Sequence, residues 1–255
     1  APSLDAYDCV TRYYHYRHTH EITTRSFEIR QELEQLVARE PEYSTGLATY
    51  AFACIDAVVY RFPYEETPQE LLEKGGAAAR KAVELAPRNS AALMALFRYE
   101  YHHGDFASFE RTFDRAMEAN PNDTEMLIVA ASCFGLRGDM QRASELANRA
   151  IVLNPNPPSY YFIVDCWQAM EAGDFEFALG ISDRMPDLNF WKPVYQLVCL
   201  AYLDRIAEAK ERLADLSRIH PDFMHRFATE QKIFHISDAW MKFFMVGFSK
   251  VGVGA

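Results

Sequence analysis

The chain of 255 residues carries 26 Lys and Arg against 36 Asp and Glu, a formal net charge of −10, with 49% hydrophobic and 24% charged residues. This is the balance of a globular protein able to bury a sizeable core, and its acidic surplus argues against broad phosphate-backbone binding, which needs a basic face. One local cationic patch is still allowed. No apolar run approaches the ~20 residues needed to cross a membrane, and no signal peptide leads the chain. Cys9, Cys54, Cys133, Cys166 and Cys199 lie at least 33 residues apart. That spacing holds no CxxC and no disulfide framework, so reduced thiols in a cytoplasmic protein are expected. The chain opens on Ala-Pro without an initiator Met, and the expectation is a piece of something longer.

In chain order, "LDAYDCVTRYYHYRH" and "EIRQELEQLVAREP" read as the two helices of a first pair, residues 1–43. A lengthened unit, 44–89, follows. Its extra length lies in "RFPYEETPQELLE", where Pro63 and Pro68 predict a loop between long helices. Units 90–123 and 124–157 are the most regular. Pro87, Pro121 and Pro155 stand 34 residues apart, and Ala82, Ala116 and Ala150 each precede one of them by five. Midway come Gly104-Asp105, Gly138-Asp139 and Gly173-Asp174, where glycine can end one helix and aspartate cap the next. Each second helix should carry a small residue where paired helices approach: Gly75, Ala143, Ala178 and Ala209 supply it, and Phe109 is the exception. Units 158–189 and 190–222 share the interval to Pro221, with their boundary degenerated to "RMPDLNFWKP". The segment 223–255 reads as an amphipathic C-terminal cap, "FATEQKIFHISDAWMKFFMVGFSK".

A 34-residue helix–turn–helix unit with these marks resembles the tetratricopeptide repeat. The resemblance implies one all-α domain over 1–255, a right-handed α–α superhelix of about six helix pairs with a C-terminal capping helix. It goes further. "LDAYDCVTRYYHYRHTHE", "LEQLVAREPEYSTGLATYAFACID", "YRFPYEETPQELLE", "FWKP" and "RIHPDFMHRFATE…WMKFFMVGFSKVGV" follow in the order seen in one bacterial group. That group is the tetratricopeptide C-terminal domain of class III adenylate cyclases and winged-helix transcriptional regulators, which this chain resembles over roughly residues 4–253. Asp204 in place of the usual glycine and the large Phe109 depart from the pattern. The resemblance implies a non-catalytic regulatory or recruiting module that acts on its own upstream domain or on a protein or peptide partner. A stand-alone adaptor that holds an apolar peptide segment in its concave groove is the alternative.

No catalytic constellation and no cofactor motif appear: there is no GxSxG, P-loop or GxGxxG, and "EKGGAAARKA" reads as a helix. His15, His18 and His20 in "HYRHTH" have spacing that zinc accepts. Beside four tyrosines and without a Cys or carboxylate partner, they also read as packing at a helix end, and no metal site is assigned. His102 and His103 read as the end of a first helix, and Cys133, Cys166 and Cys199, 33 residues apart, as small core residues.

The register places the groove on the first helices, at every third or fourth residue. Its positions include Thr45, Ala48, Phe52, Met94, Arg98, Tyr101, Glu125, Ile128, Ser132, Tyr160, Ile163, Trp167 and Met170. Phe52, Met94, Arg98, Tyr101, Ser132 and Trp167 are the candidate partner-binding residues, with core packing between repeats as the competing reading. Chaperone-tail binders of the resembled family place Lys and Asn on adjacent first helices. Here Ala48 and Phe52, Met94 and Arg98, Ile128 and Ser132 stand at those positions. The groove instead reads apolar, with Arg98 as its lone cation. Apolar residues on several faces of "AYDCVTRYY" predict self-association. No direct nucleic-acid or membrane partner is expected.

Overall fold

The computed structural model describes residues 2–19, 22–185 and 190–254, with the backbone alone at 18, 22 and 23. The described residues form fourteen α-helices and no strand, in two compact units, Ala1–Pro121 and Asn122–Ala255. The degenerate boundary at Pro186, Asp187, Leu188 and Asn189 lies outside the described residues.

In the first unit, α1 (Leu4–Thr19) pairs with α2 (Ile22–Arg39), α3 (Ser44–Tyr60) with α4 (Pro68–Leu85), and α5 (Ser90–His103) with α6 (Phe106–Ala119). Helix α3 also packs against α1, α2 and α5. All its residues from Gly46 to Val59 are buried, as a helix that is apolar all round must be. The chain leaves α3 through Arg61 in the left-handed conformation (φ 56°). It re-enters a helix at Thr67, whose hydroxyl accepts from the Glu70 backbone N–H while the Glu70 carboxylate accepts from that of Thr67. Pro68 stands in the first turn, where a missing N–H costs nothing.

The second unit begins with α7 (Thr124–Leu136) packed on α8 (Met140–Leu153). A short 3-10 turn, Ser159–Phe162, leads into α9 (Ile163–Ala172), which packs on α10 (Phe175–Asp183). Helix α11 (Trp191–Tyr202) packs on α12 (Ile206–Ile219). The segment read as one capping helix holds two, α13 (Phe223–Phe234) and α14 (Asp238–Lys250). Ser237 starts the second of them, its hydroxyl accepting from the Trp240 N–H.

The repeated Gly-Asp pairs do the work their chemistry suits. Gly104 (φ 88°), Gly138 (φ 95°) and Gly173 (φ 79°) take the left-handed turn that a Cβ would strain. Asp105, Asp139 and Asp174 then accept from the backbone N–H of Ser108, Arg142 and Phe177. Asp204 makes the same turn without glycine (φ 57°). Small residues set how closely helices approach: a Cβ on Gly75 would lie 3.1 Å from that of Cys54. Phe109 is fully buried, its ring 5.8 Å from Phe97 and 5.4 Å from Tyr101. At that position an aromatic cluster replaces the close approach.

Gly76 lies under the Tyr99 ring, so that a Cβ there would come within 2.3 Å of it. The ring has little freedom to yield, because its hydroxyl donates to Glu73 (3.1 Å) and the Arg80 guanidinium lies 5.0 Å from its centroid. Gly76→Ala is therefore expected to destabilise the first unit. Helix propensity favours alanine by about 1 kcal/mol, and overpacking opposes it by about 1–3 kcal/mol. A denaturant midpoint that rises in this variant would refute the account.

Candidate interaction surface

In the first unit, α1, α3 and α5 bring a charged cluster into the interior. Arg98 is 4% exposed and its Nη2 donates to Asp56 Oδ1 at 2.6 Å. Asp56, 2% exposed, also accepts from the Tyr13 hydroxyl at 2.7 Å, and the Arg17 Nε lies 3.9 Å away. Burial alone would push the Asp56 carboxyl up. Arg98, Arg17 and the Tyr13 hydroxyl outweigh it and hold the group below the usual carboxylate range. The Arg98 guanidinium stacks over the Phe52 ring at 5.6 Å, and its Nη1 is buried without a hydrogen-bond partner. Arg98 is thus not the open cation that the register placed in a groove. It is the internal counter-charge of Asp56, which sequence reasoning did not single out. The signal was present: Asp56 is the one ionisable carboxylate in the otherwise apolar run from Gly46 to Val59.

Phe52, Met94 and Tyr101 are buried with it, at 0%, 4% and 1% exposure. These three correct the groove reading in the same way, since they pack between helices of their own unit and present no open face. Two open clefts of about 480 and 440 Å³ lie elsewhere, at Glu40–Tyr43 and at Arg80, Tyr99 and His103.

In the second unit, the first helices carry a partly open face. Ser132 is half-buried, its hydroxyl donating to the Ile128 carbonyl at 3.0 Å. Tyr160 is exposed and donates to Glu125 at 2.5 Å. Trp167, at 4% exposure, is not part of the open surface. Its indole N–H donates to the Tyr195 hydroxyl at 3.1 Å, and its ring lies against Gly135, where a Cβ would meet it at 3.1 Å.

The cover over this region is α14. The Trp240 indole N–H donates to the Gly135 carbonyl (3.1 Å), and the Ser237 N–H to the Leu136 carbonyl (2.8 Å). The Phe244 ring lies 6.1 Å from Tyr195 and 5.9 Å from Trp191, and Phe243 stacks on Tyr202 at 4.6 Å. The Tyr202 hydroxyl donates to the Phe243 carbonyl (3.0 Å), and Lys250 reaches Asp204 at 2.9 Å. Gly247 permits the approach to α11, since a Cβ there would stand 2.9 Å from a Val198 methyl. A helix seated through Trp240, Phe244, Gly247 and Phe248 uses the spacing by which an amphipathic helix fills a groove.

His15 is exposed, and the His18 side chain and His20 lie outside the described residues. Among the described residues no three His, Cys, Asp or Glu side chains gather as a metal site, and no helix is long and apolar enough to cross a membrane. All five cysteines are buried. Burial pushes the Cys54 and Cys199 thiols up to about 12, and Cys9 and Cys166 upward as well.

No family model matches the sequence. Among curated proteins, the chain is similar to the interferon-induced protein with tetratricopeptide repeats 3 of Mus musculus. The two are 29% identical over 128 residues, which is 50% of this chain and 29% of that protein. The chain thus spans less than a third of that relative's length. Among solved structures, it is similar to Pseudomonas aeruginosa PilF, with a TM-score of 0.57 at 13% identity over 89% of this chain and 97% of that one. The fold is all-α and tetratricopeptide-like.

The geometry leads to three predictions. Asp56→Asn leaves Arg98 buried without a counter-charge, and the expected loss is about 3–5 kcal/mol. Hydrogen exchange should localise it to α1, α3 and α5, and unchanged protection there would refute the pairing. The acid side has a second contributor. Burial would raise the Glu66 carboxyl, but Lys74, a backbone N–H and Arg30 bring it down to about 2. Glu66 therefore stabilises the first unit above about pH 4.5 and releases that stability as the pH falls toward about 2, and Asp56, also held below its ordinary value, adds to the loss on the acid side. Glu66→Gln should flatten the stability profile across that window. For the thiols, Ellman's reagent should label none of the five rapidly in the native chain and all five in denaturant. Rapid native labelling would contradict their burial.

Proposed function

We propose that the chain is a non-catalytic protein-interaction and regulatory module of the cytoplasm, the C-terminal part of a bacterial class III adenylate cyclase or winged-helix transcriptional regulator. The observation that carries the interaction reading is the seating of α14: the first-helix side of the second unit takes up an amphipathic helix through Gly135, Tyr195, Val198 and Tyr202. The order of motifs across residues 4–253 supports the cyclase or regulator context. In that context the module acts on the domain upstream of it or recruits a protein to it.

The same seat favours a second reading, a stand-alone adaptor for an apolar helical segment. Ser132 and Trp167 would border its site in the second unit. Phe52, Met94, Arg98 and Tyr101 would serve it through the packing of the first unit rather than by direct contact.

Reading the source DNA upstream of the Ala1 codon, in frame, separates the two. A frame that runs into a cyclase or winged-helix domain predicts that deletion of residues 1–255 changes cyclic-nucleotide synthesis or promoter occupancy at least severalfold. An unchanged rate or occupancy would remove the regulatory reading. A start codon just before Ala1 would remove it as well and leave the adaptor.

A further inference from the structure

Helix α14 is held on its seat by many bonds and packs on α13 through Phe227, whose ring lies 5.6 Å from Phe244 and 5.0 Å from Phe248, but the chain segment that joins the two helices is short. The connection is three residues, 235–237, and His235 at its start is left-handed (φ 48°), a conformation that a residue with a Cβ adopts at a cost. Residues 223–250 contain no proline, and Gly247 is the first glycine in that stretch. Nothing in the sequence therefore prevents α13 from running straight on into α14. Short connections under strain favour exchange of the element beyond them.

We propose that the seat on α7, α11 and α13 is also an interface between copies of this chain, in which each copy receives the other's α14. The hinge at 235–237 opens, His235 returns to right-handed backbone, and α14 leaves with its groups from Trp240 onward intact, while Ser237 exchanges its bond to the Leu136 carbonyl for one within the straightened helix. In the second copy the Trp240 N–H again meets the Gly135 carbonyl, Gly247 again lies against Val198, and Lys250 again meets Asp204. Since both seats are refilled by identical residues, no buried aromatic surface is given up. The net balance sets relief of the hinge against the entropy of joining two chains. The interface is isologous, each copy giving α14 and offering its seat. Met245 and Val246, on the outer side of α14 at 36% and 42% exposure, travel with it and add apolar surface near the junction.

The test uses a disulfide as a reporter. The Cβ position at Gly247 lies 3.4 Å from that of Val198, close to the ~3.8 Å spacing of bonded cysteines. The double variant Val198→Cys, Gly247→Cys in the full chain should, on oxidation at rising concentration, yield a covalent dimer on a non-reducing gel. Co-refolded single variants, each with a different tag, should yield a covalent heterodimer, which requires α14 of one copy on the seat of the other. A cross-link confined to one chain at every concentration, with no heterodimer from the mixture, overturns the proposal. An independent measurement covers the case in which the cysteines disturb the fold. In light scattering after size exclusion, His235→Gly removes the strain of the closed hinge. It should weaken dimerisation by about tenfold for each hinge. A Gly-Ser insertion after His235 should move the equilibrium the same way. Dimerisation unaffected by either change, or a chain monomeric throughout, overturns exchange through this hinge.

Discussion

Close approach between helices at positions with little or no side chain is the constraint on which this structure rests. A helix pair cannot bury its apolar stripe alone, and stacking works only where neighbouring backbones come within reach. Gly75 against Cys54, Gly76 beneath Tyr99, Gly135 beneath Trp167 and Gly247 against Val198 are four such places. Each converts a missing side chain into a seat for a large one. Gly135 does so twice, bearing the Trp167 ring on its Cα side and offering its carbonyl to the Trp240 indole. The C-terminal helix therefore depends on the same small-residue logic as the repeats, applied to a partner 105 residues away in sequence.

A second constraint governs the first unit. A helix as apolar as α3 needs no charge for its packing, and Asp56 in its middle is costly to bury. The cost is met by Arg98, Arg17 and the Tyr13 hydroxyl, which come from α5 and α1. Such a cluster gains little over a well-packed apolar one, but it penalises any arrangement in which the three helices are out of register. Its effect is to specify how α1, α3 and α5 face one another. Arg98, which its register position places toward a groove, is buried in this cluster as the counter-charge of Asp56.

These two constraints bear differently on function. In the first unit the buried cluster joins α1, α3 and α5, and Phe52, Met94, Arg98 and Tyr101 are buried there. In the second unit Trp167 is buried, Ser132 and Tyr160 stay partly open, and α14 covers the neighbouring Gly135, Tyr195 and Tyr202. The seat of α14 is thus the feature on which the proposed interaction through the second unit rests, with Tyr195 in its floor and Trp167 bonded to Tyr195 beneath.

Local chemistry was legible from the sequence alone. Intervals of 34 residues, proline stops, Gly-Asp pairs and small residues determined an all-α repeat fold, since each acts within a few residues along one backbone. The burial of Cys133, Cys166 and Cys199 was legible for the same reason, as they share one position in successive first helices. The fate of the groove was not. Whether Phe52, Arg98 or Trp167 faces solvent depends on what lies across from it, and those partners, Asp56, Tyr13, Tyr195 and Gly135, sit on other helices at separations that no period encodes. The aromatic spacing of α14 announced an amphipathic helix but not its seat. Tertiary structure alone decided that, because desolvating two indole rings and satisfying their N–H groups required one carbonyl and one hydroxyl that only the folded unit brings together.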